Sequence, residues 1–250
     1  MFKNYLKIAW RNLLKNKGYS FINIGGLAIG MSCFIMIVLF IKNELSYDSY
    51  HENGDHIYRV VHQSNENDLD EKWVWGNAPI GPALKADFPE ILAKVQFSGR
   101  SDNLFKYNEL SFQESNCFYV DASVFTVFSW PLISGNPKTA LEAPYSIVLT
   151  ESMVKKYFGD QDPMGKALNG FGGRANDGVY TVTGVMKDVP QNSHFSFDML
   201  LSMSSFYQTR PGIFESWGYV DFYTYFLVND NFNIKEFQTK MPDFLNRHLS

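Results

Sequence analysis

Cysteine is nearly absent from this chain: its 250 residues contain two, Cys33 and Cys117. The first lies inside an apolar run and the second far outside it, so no disulfide framework is implied. The local signatures of catalysis are missing too. There is no Gly-x-Ser-x-Gly elbow and no His-Glu-x-x-His helix. The nearest thing to a phosphate loop runs from Gly159 to Ala167. Five residues rather than four separate Gly159 from Gly165, and Ala167 stands where a Ser or Thr would hold magnesium. It reads as a turn, and nucleotide binding is excluded. His51 and His56, with Glu52 and Asp55 nearby, fit no zinc-ligand spacing. His194 has no partner at catalytic spacing. These absences point to a non-catalytic chain with no cofactor and no metal.

Positive charge is confined to one end. Lys3, Lys7, Arg11, Lys15 and Lys17 fall in the first twenty residues, which hold no acid. The formal total is −4, which leaves −9 for residues 42–250. An acidic outer region lacks the basic footprint that phosphate binding needs, so nucleic acid is excluded as a partner. The chain also lacks internal repeats and any linker rich in Pro, Gly or Ser.

Residues 21–41 carry no charge at all: FINIGGLAIGMSCFIMIVLFI. At about 1.5 Å per residue this run matches a hydrocarbon core of about 30 Å. A buried core helix rarely runs so long without a charge. A cleaved signal peptide would need a small-x-small site, and Ile41-Lys42-Asn43-Glu44 offers none. A lipidated Cys33 would need a better lead-in than Gly30-Met31-Ser32. The run is read as a membrane span. The positive-inside rule then places the N-terminus in the cytoplasm and residue 42 onward outside.

Phe2, Leu6, Ala9, Trp10, Leu13 and Leu14 recur at helical spacing in the first twenty residues, with the basic residues mostly on the other face. Residues 1–20 are therefore read as an amphipathic helix at the lipid interface, broken near Gly18. In the span, Gly26 and Gly30 form a small-xxx-small pair, extended by Ala28 and Ser32, on which another membrane helix is expected to pack.

Outside the membrane, residues 42–250 alternate strand and helix patterns. Strands are expected over 57–62, 95–98, 104–107, 110–113, 145–149, 179–186, 195–201 and 223–228, with Asn108 in a turn. Helices are expected over 78–88, 122–128 capped by Asp121, and 151–158 capped by Thr150 and stopped by Gly159. A last helix begins at Asn233 and Glu236, with a stripe of Ile234, Phe237, Met241, Phe244 and Leu245 and a kink at Pro242. The glycine-rich run 169–178 reads as a hairpin loop. The class is α+β.

Seven stretches carry a resemblance. They are FKNYLKIAWRNLLKNKGYSFINIGGLAIG (2–30), YDSYHENGDHIYRV (47–60), APIGPALKADFPE (78–90), SGNPKTAL (134–141), SIVLTESMVKKYFGDQDPMGKAL (146–168), YTVTGVMKDVPQNSHFSFDML (180–200) and TYFLV (224–228). With them the chain resembles the N-terminal half of permeases of the MacB/FtsX type, subunits of ABC transporters, as found in Bacteroidetes. The resemblance implies one transmembrane helix followed by a mixed α/β periplasmic domain of porter-like plus β-rich subdomains, in the bacterial inner membrane. It also implies partners: membrane lipid, an ABC ATPase subunit, a second permease half in a homo- or pseudo-dimer, and a periplasmic adaptor or substrate protein. In such systems ATP hydrolysis by the partner moves the periplasmic domains for efflux or mechanotransmission. No second apolar run of about twenty residues follows, so the three later membrane helices of the family are not in this sequence. It is expected to be an N-terminal fragment or a truncated relative. The competing expectation is a single-pass anchored binding or scaffold module without an ATPase.

Overall fold

A computed structural model of the chain describes residues 2–64, 71–99, 101–172 and 177–249. The chain divides into two units, Met1–Tyr47 and Asp48–Ser250.

The first unit is two helices, α1 (Phe2–Lys15) and α2 (Lys17–Leu45). The break falls at Asn16 (φ −112°, ψ 56°), not at Gly18. Asn16 leaves helical geometry, while Gly18 sits within the first turn of α2. The Ser20 hydroxyl donates to the Leu13 carbonyl, satisfying an acceptor that the break frees. α2 has 29 residues and none is buried. Among the described residues it is the one helix long and apolar enough to cross a membrane.

The second unit is sheet-rich. In chain order it contains β1 (Ile57–Arg59), β2 (His62–Ser64), β3 (Glu71–Trp73), β4 (Gly76–Asn77), α3 (Ile80–Asp87), β5 (Ile91–Ser98), β6 (Ser101–Tyr107) and β7 (Leu110–Val120). Then follow α4 (Val124–Val127), β8 (Leu132–Gly135), β9 (Ser146–Thr150), α5 (Glu151–Phe158), β10 (Ala167–Gly172) and β11 (Gly178–Met186). The last are β12 (Met199–Ser202), α6 (Met203–Thr209), α7 (Pro211–Glu215), β13 (Val220–Val228) and α8 (Ile234–Leu249). β2 and β3 form a separate ribbon.

The main sheet runs β1-β13-β5-β7-β12-β9-β11-β10-β6, and β6 returns to pair with β7. Six strands from β7 to β6 therefore close on themselves. β7 can serve both neighbours because it is eleven residues long. Its first half pairs with β6 (Phe112 opposite Phe105), and its last residues run parallel to β12 (Cys117 opposite Met199). Each strand of this circuit sends residues into one core: Phe105, Tyr119, Leu149, Leu168, Tyr180 and Leu201 are all 0–1% exposed. Closure removes the edges that an open sheet would have to protect.

Period-two alternation sends the other residues of β7, β9 and β12 to a second core. There Phe118, Val120, Val148 and Leu200 meet α4, Trp130, Phe195 and Phe197. A third core lies under α3 and α8, where Leu84, Ile91, Phe226 and Phe244 pack. The sheet-rich unit with its N-terminal apolar helix is the α+β architecture read from the sequence.

Local readings differ in instructive ways. The Asp121 carboxylate does not cap α4; it accepts from Lys94 Nζ (2.7 Å) and the Gln96 amide (2.9 Å), a charged partner outcompeting a short helix. β12 begins at Met199 rather than at 195, because the Ser193 hydroxyl takes the Phe195 N–H in a turn. The strand read over 57–62 ends at Arg59, and His62 joins the β2–β3 ribbon instead. The glycine run contributes to β10 as far as Gly172. Gly170 is needed there because a Cβ would meet the Tyr180 ring at 2.8 Å. The rest of the expected loop, 173–176, lies outside the described residues. Asn108 is in its turn with φ 52°, and Asn233 Oδ1 caps α8 by accepting the Lys235 (3.0 Å) and Glu236 (3.3 Å) amides.

Candidate functional site

The sequence singled out residues of the first unit. Lys3, Lys7, Arg11 and Lys15 lie on α1, and Lys17 opens α2. Gly26, Ala28, Gly30 and Ser32 lie on α2, and nothing comes within 4 Å of a Cβ built at Gly26 or Gly30. The Ser32 hydroxyl is satisfied internally, donating to the Ala28 carbonyl (2.8 Å). At 3.6 residues per turn, Ala28 is turned about 200° from Gly26. Ala28 and Ser32 therefore extend the opposite face, not the face of Gly26 and Gly30. Among the described residues, Gly26 and Gly30 meet no second element.

A polar cluster forms in the outer unit, where the chain has just left α2. Asp48 follows that helix by three residues and has φ 55°, a left-handed geometry that Asp tolerates. It makes three bonds to one loop. Its amide donates to the Asn192 carbonyl (2.9 Å), Oδ1 accepts the His194 amide (3.1 Å), and Oδ2 meets His194 Nδ1 (2.7 Å). An ionised carboxylate only accepts, so Nδ1 carries the proton. His194 Nε2 then accepts from the Tyr225 hydroxyl on β13 (3.1 Å). Burial pushes the Tyr225 hydroxyl up to about 12, which keeps it a donor.

Tyr50 continues the attachment. Its hydroxyl donates to Ser193 Oγ (2.7 Å) and accepts from Trp130 Nε1 (3.0 Å). Burial raises its pKa as well. His51 Nδ1 accepts the Ser129 amide (3.1 Å), and the Glu52 amide donates to Ser129 Oγ (3.0 Å). His51 is 7% exposed and lies against the rings of Tyr50, Phe128 and Trp130, with centroids 4.2, 5.1 and 5.3 Å away. Desolvation lowers its pKa, opposed by Asp48 and assisted by His194. Residues 48–52 are thus tied to two loops, 192–195 and 128–130, both of which are rooted in the second core. A polar cleft of about 340 Å³ opens along the first loop, lined among others by Ser152, Asp188, Ser193 and Asp198.

This cluster is chemically a fastening. It has no nucleophile activated by a base, and among the described residues no group of three or more His, Cys, Asp or Glu could hold a metal ion. The sequence did not reveal it. His51 was weighed as a metal ligand and His194 as a catalytic residue, each with its sequence neighbours. Asp48 and His194 are 146 positions apart, so no local spacing could join them. Both stretches were nonetheless among those that carried the resemblance, 47–60 and 180–200.

Residues 20–244 match the family model described as MacB-like periplasmic core domain. The chain belongs to that family. No curated protein matches it. Among solved structures, this MacB-like chain is similar to a domain of a protein assigned as a permease from Porphyromonas gingivalis. The identity is 20%, covering 79% of this chain and 83% of that one, with a TM-score of 0.65. It is also similar to the periplasmic region of MacB from Actinobacillus actinomycetemcomitans, at 18% identity over 78% and 84% with a TM-score of 0.53. The extracellular domain of the noncanonic ABC-type transporter YknZ from Gram-positive bacteria matches at 14% identity over 78% and 95%, with a TM-score of 0.50. At such identities the three show a shared fold. The chain is a MacB-like periplasmic domain of the ABC transporter permease family, preceded by one apolar helix.

Proposed function

We propose that this chain is a permease subunit, or the N-terminal part of one, in an ABC-type export or mechanotransmission complex. A separate ATPase supplies the energy, and the outer domain moves in response. The observation that supports this best is the fastening at 48–52. Three side chains (Asp48, Tyr50 and His51) and two backbone amides (Asp48 and Glu52) there bind loops of the outer domain shortly after the span. A flexible tether would make an adequate anchor. A segment fixed at many points is what passing displacement to the second core requires.

The same reading places the basic α1 on the cytoplasmic face of the inner membrane and residues 42–250 in the periplasm. It takes Gly26 and Gly30 as one face for a neighbouring membrane helix, in a dimeric assembly. Purification from native membranes tests it. An ATPase with an intact phosphate loop should co-purify, and its hydrolysis rate should change when this chain is removed. Recovery of the chain without any ATPase would favour the anchored binding module.

A further inference from the structure

His51 is held in a way that admits one protonation state. Its Nδ1 accepts the Ser129 amide proton at 3.1 Å, so the ring proton must sit on Nε2. Nε2 itself is buried and makes no hydrogen bond. An imidazolium carries protons on both nitrogens. It would lose the Ser129 bond, set two N–H groups against each other, and leave a charge 7% exposed among three aromatic rings.

We propose that His51 is a proton-sensitive catch: its neutral ring holds residues 48–52 on the Ser129 loop, and protonation releases the segment. The surrounding charges divide. On the same segment, Asp48 favours the charged ring, but its carboxylate is already engaged by His194. His194, from the loop before β12, disfavours a charged His51. Tyr225 on β13 and Tyr50 stay neutral because burial raises both hydroxyls. Glu52 contributes its amide to Ser129. No residue of the 128–130 loop itself titrates.

The sign follows from burial. The docked pKa is lowered from 6.5, so docking is at full strength above that value. As pH falls below it, the released ring takes up a proton that the docked ring refuses. Docking therefore weakens by about tenfold per pH unit until the docked ring also titrates. The proposal concerns the outer domain alone and stands whether or not an ATPase partners the chain.

Hydrogen exchange on the full chain in lipid nanodiscs, corrected for intrinsic pH dependence, tests it between pH 8 and 5. Protection at the Ser129 amide and across 50–52 should fall about tenfold per unit below pH 6.5. His51→Gln, whose side-chain oxygen can accept the same amide but cannot titrate, should hold protection across the range. His194→Gln should keep the pH dependence. Unchanged wild-type protection down to pH 5, or an undiminished pH response in His51→Gln, would overturn the proposal. If His51→Gln fails to dock at pH 8, nitrogen NMR of histidine-labelled wild type decides. An Nε2–H ring whose imidazolium appears only with loss of Ser129 protection supports the catch. An imidazolium with Ser129 still protected refutes it.

Discussion

The two units of this chain handle apolar side chains in opposite ways. In α2, Phe21, Leu27, Ile29, Phe34 and Phe40 are each more than half exposed. In the closed six-strand circuit, the inward-facing Phe105, Tyr119, Leu149, Leu168, Tyr180 and Leu201 are 0–1% exposed. The circuit buries its inward face, and its strands close without an edge. α2 has buried nothing, and water is the wrong solvent for it. The difference marks α2 as built for a medium or partners outside itself, and the outer unit as complete in its own core.

Substitutions can break this contrast on either side. The largest effect belongs to the second core of the outer unit. Phe97 is 0% exposed and lies 4.6 Å from Phe195, centroid to centroid. Phe97→Ala should cost about 3–5 kcal/mol, read as a lower denaturant midpoint of the outer unit. In the first unit, Ile29→Arg puts a charge near the middle of the span. It should raise the insertion free energy by about 2.5–3.5 kcal/mol and shift chain from membrane to soluble fractions, leaving the outer fold intact. A smaller effect sharpens the comparison at the end of the outer unit. Asn233→Ala removes the cap of α8 and should cost about 1 kcal/mol, with exchange rising first at Lys235 and Glu236.

The legibility of the sequence tracks the same contrast. The span could be read because hydropathy is local: 21 uncharged residues need no partner to be recognised. Strands β9 and β11 and the cap at Asn233 were legible for a similar reason, since alternation and cap chemistry lie within a few residues. Asp121 misled because the same carboxylate can cap a helix or bind a lysine, and Lys94 is 27 positions away. Phe195 and Phe197 misled because alternate burial in a loop looks like a strand. The closed circuit was not legible at all, since it depends on β7 pairing with three partners. The fastening was the hardest to see. Its residues are individually ordinary, and only the fold brings 48–52 against 129 and 192–194.

In the proposed function, motion passes through that fastening to the outer domain. The direct measurement is a spin-label distance in the chain reconstituted with the ATPase proposed to drive it, between Lys15 at the end of α1 and Glu109 in the β6–β7 turn, with Cys33 replaced by Ser. The account predicts a distance change between ADP and ATP states. It also predicts that combining Asp48→Ala with Tyr50→Phe abolishes or shrinks that change while the ATPase still turns over. An unchanged response in the double variant, or no nucleotide-dependent change in the wild type, would contradict it.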